Sequence, residues 1–555
     1  MHQLVPHFIL QQMSQGNLQG EFTTAALFLD LSGFTHLTDN LLQHDQHGAE
    51  VLATVIKTIF DQLVRHVYEQ GGFIATFAGD AFLALFPGDP LATTGSYQPQ
   101  KTPVTKEALS QACINALAAA WRMQQHIAAH TAHITPYGTF AVTAKIGLAS
   151  GHVNWGILSS SDQSQAAYFF QGPAVDDSAA AEHLAGQREI VLSAEVYRLL
   201  LDTLTAEPVE DYFRLQEINA PLPAPQPIDV PQADLELLQR FFPREVILQK
   251  QSGEFRQIVN MFISFPTVRS EAQLGLFSRS VLELAWQFGG LFDRLDFGDK
   301  GANLYMFWGM PITHENDIER ALGFILTLQN RTSMSISAGI TYRIAYAGFS
   351  GSPLREEYTA YGRGVNLAAR FMTTAPRGEI WVDEEIARRA RQQFTIEFEG
   401  EMAFKGFAQK QKVYVLLGRK EAAELGEYLP LMGRRQELQR LAHFVAPLAA
   451  GHAAGNLVLW GEAGIGKSRL IAALLQELKD NQETASQAFF CQADQTLRQS
   501  LNPFRYWLRH YFSQSSAAST ARNKHSFNRK LDNLLAETGE SEMGQELERT
   551  RSCLG

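Results

Sequence analysis

The chain has 555 residues, 45% hydrophobic and 19% charged, an ordinary globular balance whose length allows three or four domains. A formal net charge of -11 excludes nucleic acid or an anionic membrane as the main partner, and no apolar run approaches the roughly 18 residues of a membrane span. Three cysteines, Cys113, Cys491 and Cys553, lack metal-ligand spacing; with no signal peptide in "MHQLVPHFILQQMSQG" they fit a reducing, cytoplasmic setting.

In chain order, an N-terminal leader (1–21) precedes a first α/β segment (22–205). It reads as a strand over 25–30, a helix near 46–69, the hairpin "GGFIATFAGDAFLALFP", a helix at 106–130 and the strand "AKIGLASGHVNWG". A Pro-rich linker follows (206–250), with "APLPAPQPIDVPQ" as its extended core. The second segment (251–418) repeats the order: "VNMFISF", a helix at 271–288, "LDFGDKGANLYMFWGMP", a helix at 316–330 and "SAGITYRIAYAG". Each copy ends in a turn and helix, "FFQGPAVDDSAAAEH" and "YTAYGRGVNLAAR", which sets Asp176 opposite Asn366 and Gly147 opposite Gly339. A short linker (419–430) leads to a third segment (431–555). The expected fold is α/β (α+β): two antiparallel-rich, ferredoxin-like units and the start of a P-loop NTPase α/β domain.

The chemistry starts at "ALFLDLSGFT". An apolar strand ends on a carboxylate, Asp30, and Asp80 sits at the hairpin turn "AGD". Alone, each is an ordinary turn residue. Together, at the tips of neighbouring strands, they suit a hard divalent cation that leaves positions open for phosphate. Gly33, the N–H groups after it at Phe34 and Thr35, and the Thr35 hydroxyl can wrap a phosphate.

"FLDLSGFT", "FAGDAFLALF", "KIGLASGH" and, in the second copy, "RGVNLAAR" resemble the class III nucleotidyl cyclases. The tandem arrangement before a nucleotide-binding segment is most similar to the soluble, bicarbonate-responsive adenylyl cyclases and their bacterial relatives. The resemblance implies a pseudo-twofold pair of cyclase domains with one ATP-converting site between them. Asp30 and Asp80, aided by the Leu31 carbonyl, would bind two Mg²⁺ or Mn²⁺ ions. Lys145 would contact phosphate, Lys300 and Thr359 would read adenine beside Ala360, Asn366 would orient ribose, and Arg370 would neutralise the α-phosphate. The resemblance implies ATP as substrate and cyclic AMP and pyrophosphate as products.

The copies differ in a complementary way. The second has Asn260 where Asp30 is expected and no acid matching Asp80, so it cannot hold the metals. The first has Asp176, Ala180 and Thr76 where the second offers Asn366, Arg370 and the lysine, which implies a degenerate second site. Bicarbonate-binding members carry a Lys and an Arg there; Thr76 and Ala179 imply a bicarbonate-insensitive enzyme or a different mode of anion binding.

In the third segment "NLVLWGEAGIGKSRL" reads as strand, phosphate-cradling loop and helix, with Gly461, Gly464, Gly466, Lys467 and Ser468 able to hold a second ATP. No Walker B acid follows, so hydrolysis is expected to be incomplete; regulatory partners would act through this region. His126, His130 and His133 share a helical face that reads as a solvated helix end. Two rival functions are a guanylyl cyclase and a nucleotide-sensing module without turnover.

Overall fold

A computed structural model describes residues 2–88, 104–228, 233–250, 253–266, 271–298, 301–420, 433–461, 466–480, 520–539 and 541–554, with isolated positions between 489 and 514. The chain divides into two compact units, Met1–Arg419 and Lys420–Gly555.

The larger unit opens with α1 (His7–Ser14), β1 (Gln19–Ser32), α2 (Phe34–Leu41) and α3 (Asp45–Tyr68). The hairpin β2 (Phe73–Ala78) and β3 (Ala81–Pro87) leads to α4 (Lys106–Ala129) and a small hairpin, β4 (Ala132–Thr135) and β5 (Gly138–Ala141). Then come β6 (Thr143–Ser159), β7 (Ala166–Gln171), α5 (Pro173–Leu184), β8 (Ile190–Ser193), α6 (Ala194–Leu199), β9 (Leu204–Val209) and β10 (Tyr212–Ile218). Two short helices, α7 (Leu235–Phe241) and α8 (Arg244–Ile247), join this half to the next. The second half runs β11 (Gly253–Phe265), α9 (Glu271–Phe288), β12 (Leu291–Gly298), β13 (Gly301–Trp308), α10 (Asp317–Arg331) and β14 (Ser337–Ser352). It closes with β15 (Arg355–Tyr361), α11 (Arg363–Thr374), β16 (Ile380–Val382), α12 (Glu384–Ala390), β17 (Phe394–Met402) and β18 (Gln411–Arg419).

The sheets have one topology, β2-β3-β1-β6-β8-β10-β9 and β12-β13-β11-β14-β16-β18-β17, with β7 and β15 as side branches on β6 and β14. The four leading strands, linked by a helix, a hairpin and a helix, are all antiparallel, which is the ferredoxin-like arrangement. Both copies keep a glycine where a helix crosses the sheet. A Cβ on Gly147 would lie 2.1 Å from the Ser178 carbonyl of α5, and one on Gly339 2.1 Å from the Ala368 carbonyl of α11.

The continuous apolar run of β1 is explained by burial on both faces. Leu27 and Leu29 pack on α3 and α4, whose apolar residues recur at helical spacing (Leu52, Ile56, Phe60, Leu63, Val67). Ala26 faces a second core shared by the copies, where Phe8, Leu85 and Trp155 meet Tyr305, Phe307 and Tyr358.

Two expected boundaries change. The leader is structural: Phe8, Ile9 and Leu10 of α1 are buried in the shared core. The linker begins at Asn219 rather than at 206, because β9 and β10 belong to the first sheet. Its proline stretch lies along the first copy, with the Gln226 N–H donating to the Glu69 carbonyl at 2.9 Å.

In the smaller unit α13 (Arg435–Val445) and α14 (Lys467–Asp480) pack through Leu441, Leu470 and Leu474. Helices Thr520–Thr538 and Glu542–Leu554 follow. The strand expected before the P-loop is not formed. Residues 452–461 carry no strand, and Val458 and Trp460 are 87% and 93% exposed. Among the described residues of this unit no other strand is present to pair with it, so its backbone would gain no ladder. No described helix is long and apolar enough to cross a membrane.

Candidate functional site

β1 lies between β3 and β6, with Asp30 opposite Ala81 on one side and Lys145 on the other. The Leu31 N–H donates to the Asp80 carbonyl at 3.2 Å, and Gly79, at φ +72°, makes the turn that Asp80 completes. Both acids therefore share one sheet edge. Burial, then the neighbouring charge of Asp30, pushes the Asp80 carboxyl up to about 7. Burial also raises Asp30, against the pull of Lys145 and His183. The pair is short of positive charge, and a cation bound there would relieve it.

A third acid stands nearby. Glu182 of α5, raised by burial and then by Asp30, pairs with Lys145 at 3.8 Å. Sequence reasoning missed it; its signal was Gly147, which lets α5 cross close enough for Glu182 to reach β6. Among the described residues no three His, Cys, Asp or Glu side chains are grouped to hold a metal. The available donors are two carboxylates and backbone oxygens, hard ligands that fit Mg²⁺ or Mn²⁺ completed by substrate and water.

Gly33, at φ +96°, begins α2, and a Cβ there would lie 2.2 Å from the Ala141 carbonyl. Phe34 and Thr35 occupy the first turn of α2, where N–H groups have no partner within the helix.

The second copy closes over this edge. The Tyr361 hydroxyl donates to the Gly79 carbonyl at 3.0 Å, Phe34 and Tyr361 pack edge-on at 5.3 Å, and Arg363 pairs with Asp39 of α2 at 3.5 Å. Asn366 and Arg370 lie exposed on α11, one turn apart on the helix that begins at Arg363. Thr359, two residues before Tyr361, is buried, and its hydroxyl hydrogen-bonds the Asp293 carboxylate. Ala360 faces the shared core.

The strand register corrects two alignments between the copies. Phe28 lies opposite Gly147 and Leu83; Phe262 lies opposite Gly339 and Tyr305. The counterpart of Asp30 is therefore Ser264, not Asn260, and that of Asp80 is Ala302. The second copy still lacks both acids. Asn260 is a buried structural residue whose amide donates to Thr341 and whose oxygen accepts from Tyr305, both at 3.4 Å. By the same register Thr76, opposite Leu83, corresponds to Arg294, opposite Tyr305. Lys300 is six positions further on and lies outside the described residues.

Arg294 is held by Asp293 at 2.8 Å and Asp296 at 2.9 Å, with its guanidinium over the Tyr305 ring. Burial opposes its charge, but Asp296 and Asp293 keep its proton on firmly. Burial pushes Asp293 up to about 7 despite Arg294.

In the smaller unit the Lys467 ammonium donates to the Gly461 carbonyl at 2.8 Å, and Gly466 turns at φ +96° into α14. Gly464 lies outside the described residues, as does the Ser468 side chain. His126 and His130 stack at 4.4 Å, and with His133 they border a cavity of about 440 Å³ beside α3.

Residues 315–418 match the adenylate and guanylate cyclase catalytic domain, and residues 430–552 match an AAA ATPase domain. The cyclase match falls on the second copy, and the shared sheet topology extends that fold to the first. Adenylate cyclase type 10 of Homo sapiens is 24% identical over 516 residues, which takes in 81% of this chain and 30% of that protein. Type 10 of Rattus norvegicus is 25% identical over 517 residues with the same coverage. The chain thus spans under a third of the length of these curated relatives. Among solved structures, a class III adenylyl cyclase-like ATP-binding protein from Pseudomonas aeruginosa is 11% identical, with a TM-score of 0.47 over 67% of this chain and 85% of that one.

Proposed function

We propose that the chain is an adenylyl cyclase with one site between its two cyclase copies. The ribose 3′-oxygen of ATP attacks the α-phosphorus, the bond to the β-phosphate oxygen breaks, and 3′,5′-cyclic AMP and pyrophosphate result. The observation that carries this reading is the hydrogen bond from Tyr361 of the second copy to Gly79, in the turn that bears Asp80 of the first. Asp30 and Asp80 share that sheet edge, and Asn366 and Arg370 lie on the helix that follows Tyr361.

Asp30, Asp80 and the Leu31 carbonyl would hold two Mg²⁺ or Mn²⁺ ions, which, when bound, acidify the 3′-hydroxyl and neutralise the triphosphate. The N–H groups following Gly33, at Phe34 and Thr35, with Lys145, would hold phosphate oxygens. Asn366 orients the ribose. Arg370 offsets charge growing on the α-phosphate, worth about 3 kcal/mol in comparable sites. Lys300 would donate to adenine N1, with Arg294 of the same hairpin as a second candidate donor, and Thr359, beside Ala360, accepts from the 6-amino group. The pseudo-symmetric position is degenerate in this reading, with Ser264 and Ala302 in place of the acids and Asp176 and Ala180 in place of the Asn and Arg. A second ATP at Gly461–Ser468 would have to draw the Lys467 ammonium away from the Gly461 carbonyl.

One observation favours a second reading. Asp293 beside Arg294 can accept from guanine N1–H and its 2-amino group while Arg294 donates to O6, a pairing suited to GTP. Cyclic nucleotide formation from ATP and from GTP, with Mg²⁺ or Mn²⁺ and an Asp80→Ala control, tests both. Cyclic AMP lost in the control supports the first reading, and cyclic GMP alone selects the second. No product from either nucleotide leaves a sensing module.

A further inference from the structure

Beside α3 and α4 of the first copy lies a cavity of about 440 Å³, and no residue assigned to the nucleotide site or to its degenerate counterpart lines it. Its nitrogen-bearing side chains come from three places in the fold: Lys57 and Gln62 of α3, His126 and His130 at the end of α4, and His133 of β4. Spacing alone puts the three histidines on one helical face. The chain instead ends α4 at Ala129 and turns into β4, which brings His133 to the cavity from a second element.

These donors are not spent on the protein. Among the described residues, the Lys57 ammonium, the Gln62 amide and the rings of His126 and His133 make no hydrogen bond. His130 donates through Nδ1 to the His126 carbonyl at 2.9 Å, which leaves Nε2 to accept, or to donate once protonated. The one carboxylate of the lining, Asp61, already accepts from the Ser352 hydroxyl at 2.7 Å. Much of the remaining lining is apolar, with Ile59, Ile127 and Val142 buried.

The imidazoles also repel protons from one another. His126 stacks on His130 at 4.4 Å, with His66 at 6.2 Å on another side. Burial, then His130, His66 and His133, holds His126 below its ordinary range; burial and His130 do the same to His133. A bound anion would favour each imidazolium, as the carbonyls at the end of α4 already do.

We propose that this cavity binds a small organic carboxylate, its charged group held by Lys57, His126 and His133 and its apolar body lying against Ile59, Ile127 and Val142. Lys57 carries the one fixed positive charge of the lining, which suits a monoanion; a phosphate dianion would need imidazoliums that the fold disfavours. The inference goes beyond the cyclase reading and does not depend on turnover.

Calorimetric titration of the full chain tests it with phenylacetate, acetate, and phenethylammonium of similar size and opposite charge. Phenylacetate is expected to bind saturably, acetate at least about tenfold more weakly because it lacks the apolar body, and phenethylammonium not at all. The titratable and charged groups around the cavity are Lys57, Asp61 and His66 of α3, His126 and His130 of α4, and His133 of β4, with Arg65 and Arg122 beside His66. Imidazole is the group whose charge changes near neutral pH, and a bound carboxylate favours its protonated form. Phenylacetate affinity should therefore rise about fivefold or more from about pH 8 to about pH 6. Lys57→Ala and His126→Gln should each weaken binding about tenfold, and Lys57 is exposed, so its loss should leave the melting temperature unchanged. Should His126→Gln fail to fold, Lys57→Glu, which reverses the charge at the same exposed position, should abolish binding. The proposal is overturned if phenylacetate does not bind, if acetate or phenethylammonium binds as tightly, if affinity is the same at both pH values, or if the substitutions leave it unchanged. A chain that makes no cyclic nucleotide yet shows this selectivity would sink only the cyclase reading.

Discussion

The hydroxyl of Tyr361 donates to the carbonyl of Gly79 at 3.0 Å, so a strand of the second copy is fastened to the turn that carries Asp80 in the first. Tyr361→Phe keeps the ring packed on Phe34 and removes only this bond, at a stability cost of about 1 kcal/mol. Turnover should fall roughly five- to tenfold, because misplaced catalytic groups lose rate steeply. Steady-state kinetics beside a melting curve separates the two effects. Unchanged turnover would mean that the fastening has no part in assembling the site.

Asp80 gives the site a defined pH response. Its carboxyl ordinarily titrates at 3.8 and is pushed up to about 7 in the fold. Between those values the native state holds a proton that the unfolded chain has released. The metal-free protein should therefore lose stability as pH rises from about 4 to about 7, and level off above. Asp80→Asn removes the penalty. At about pH 8 without divalent ions it should be more stable than the parent by about 1 kcal/mol, and inactive. Mg²⁺ should reverse the order by stabilising only the parent. Calorimetry at about pH 5 and about pH 8, with and without Mg²⁺, checks this; an asparagine variant less stable than the parent in the metal-free arm would count against it.

The sequence exposed Asp30 and Asp80 because a charge at the tip of an apolar strand is visible without a fold, and the repeat because its motifs recur in order. It did not expose register. "VNMFISF" carries no charge to anchor an alignment, and the choice between Asn260 and Ser264 depends on Phe262 lying opposite Gly339, a pairing between distant strands. Arg294 was hidden by the register shift between Phe292 and Arg294 and by a hairpin longer than its counterpart in the first copy. The strand before Lys467 failed for a different reason: its apolar pattern promised pairing that the described residues of that unit do not supply.

Lys300 and Arg294 are two candidate donors to the base, and substitutions separate them. Arg294→Ala leaves the buried Asp293 carboxylate and the part-exposed Asp296 without their cation, so it should lower stability by a few kcal/mol, about 3 in comparable pairs. Lys300→Ala should change the ratio of ATP to GTP turnover, as expected of a donor to adenine N1. Arg294→Lys keeps a charge but loses the two-sided grip on Asp293 and Asp296, so it should bind nucleotide less tightly while retaining the same preferred base. A ratio unchanged in Lys300→Ala would pass that role to Arg294.

Arg370 and Gly339 are linked through the backbone of α11. A Cβ on Gly339 would lie 2.1 Å from the Ala368 carbonyl and 2.5 Å from the Met372 N–H nitrogen. These are main-chain atoms of the helix that carries Asn366 and Arg370, so no side-chain rotation can relieve the clash and the helix must move. Gly339→Ala should cost about 2–3 kcal/mol in stability. It should also lower turnover, because shifting α11 displaces the group assigned to the α-phosphate. Arg370→Ala, an exposed change, should leave the melting temperature near that of the parent and cost about 100-fold in kcat. If the glycine acts through the arginine, the two losses will not add: in a Gly339→Ala background the arginine substitution should cost much less than in the parent. Fully additive losses in the double-mutant cycle would show that α11 can shift without moving Arg370 from its work.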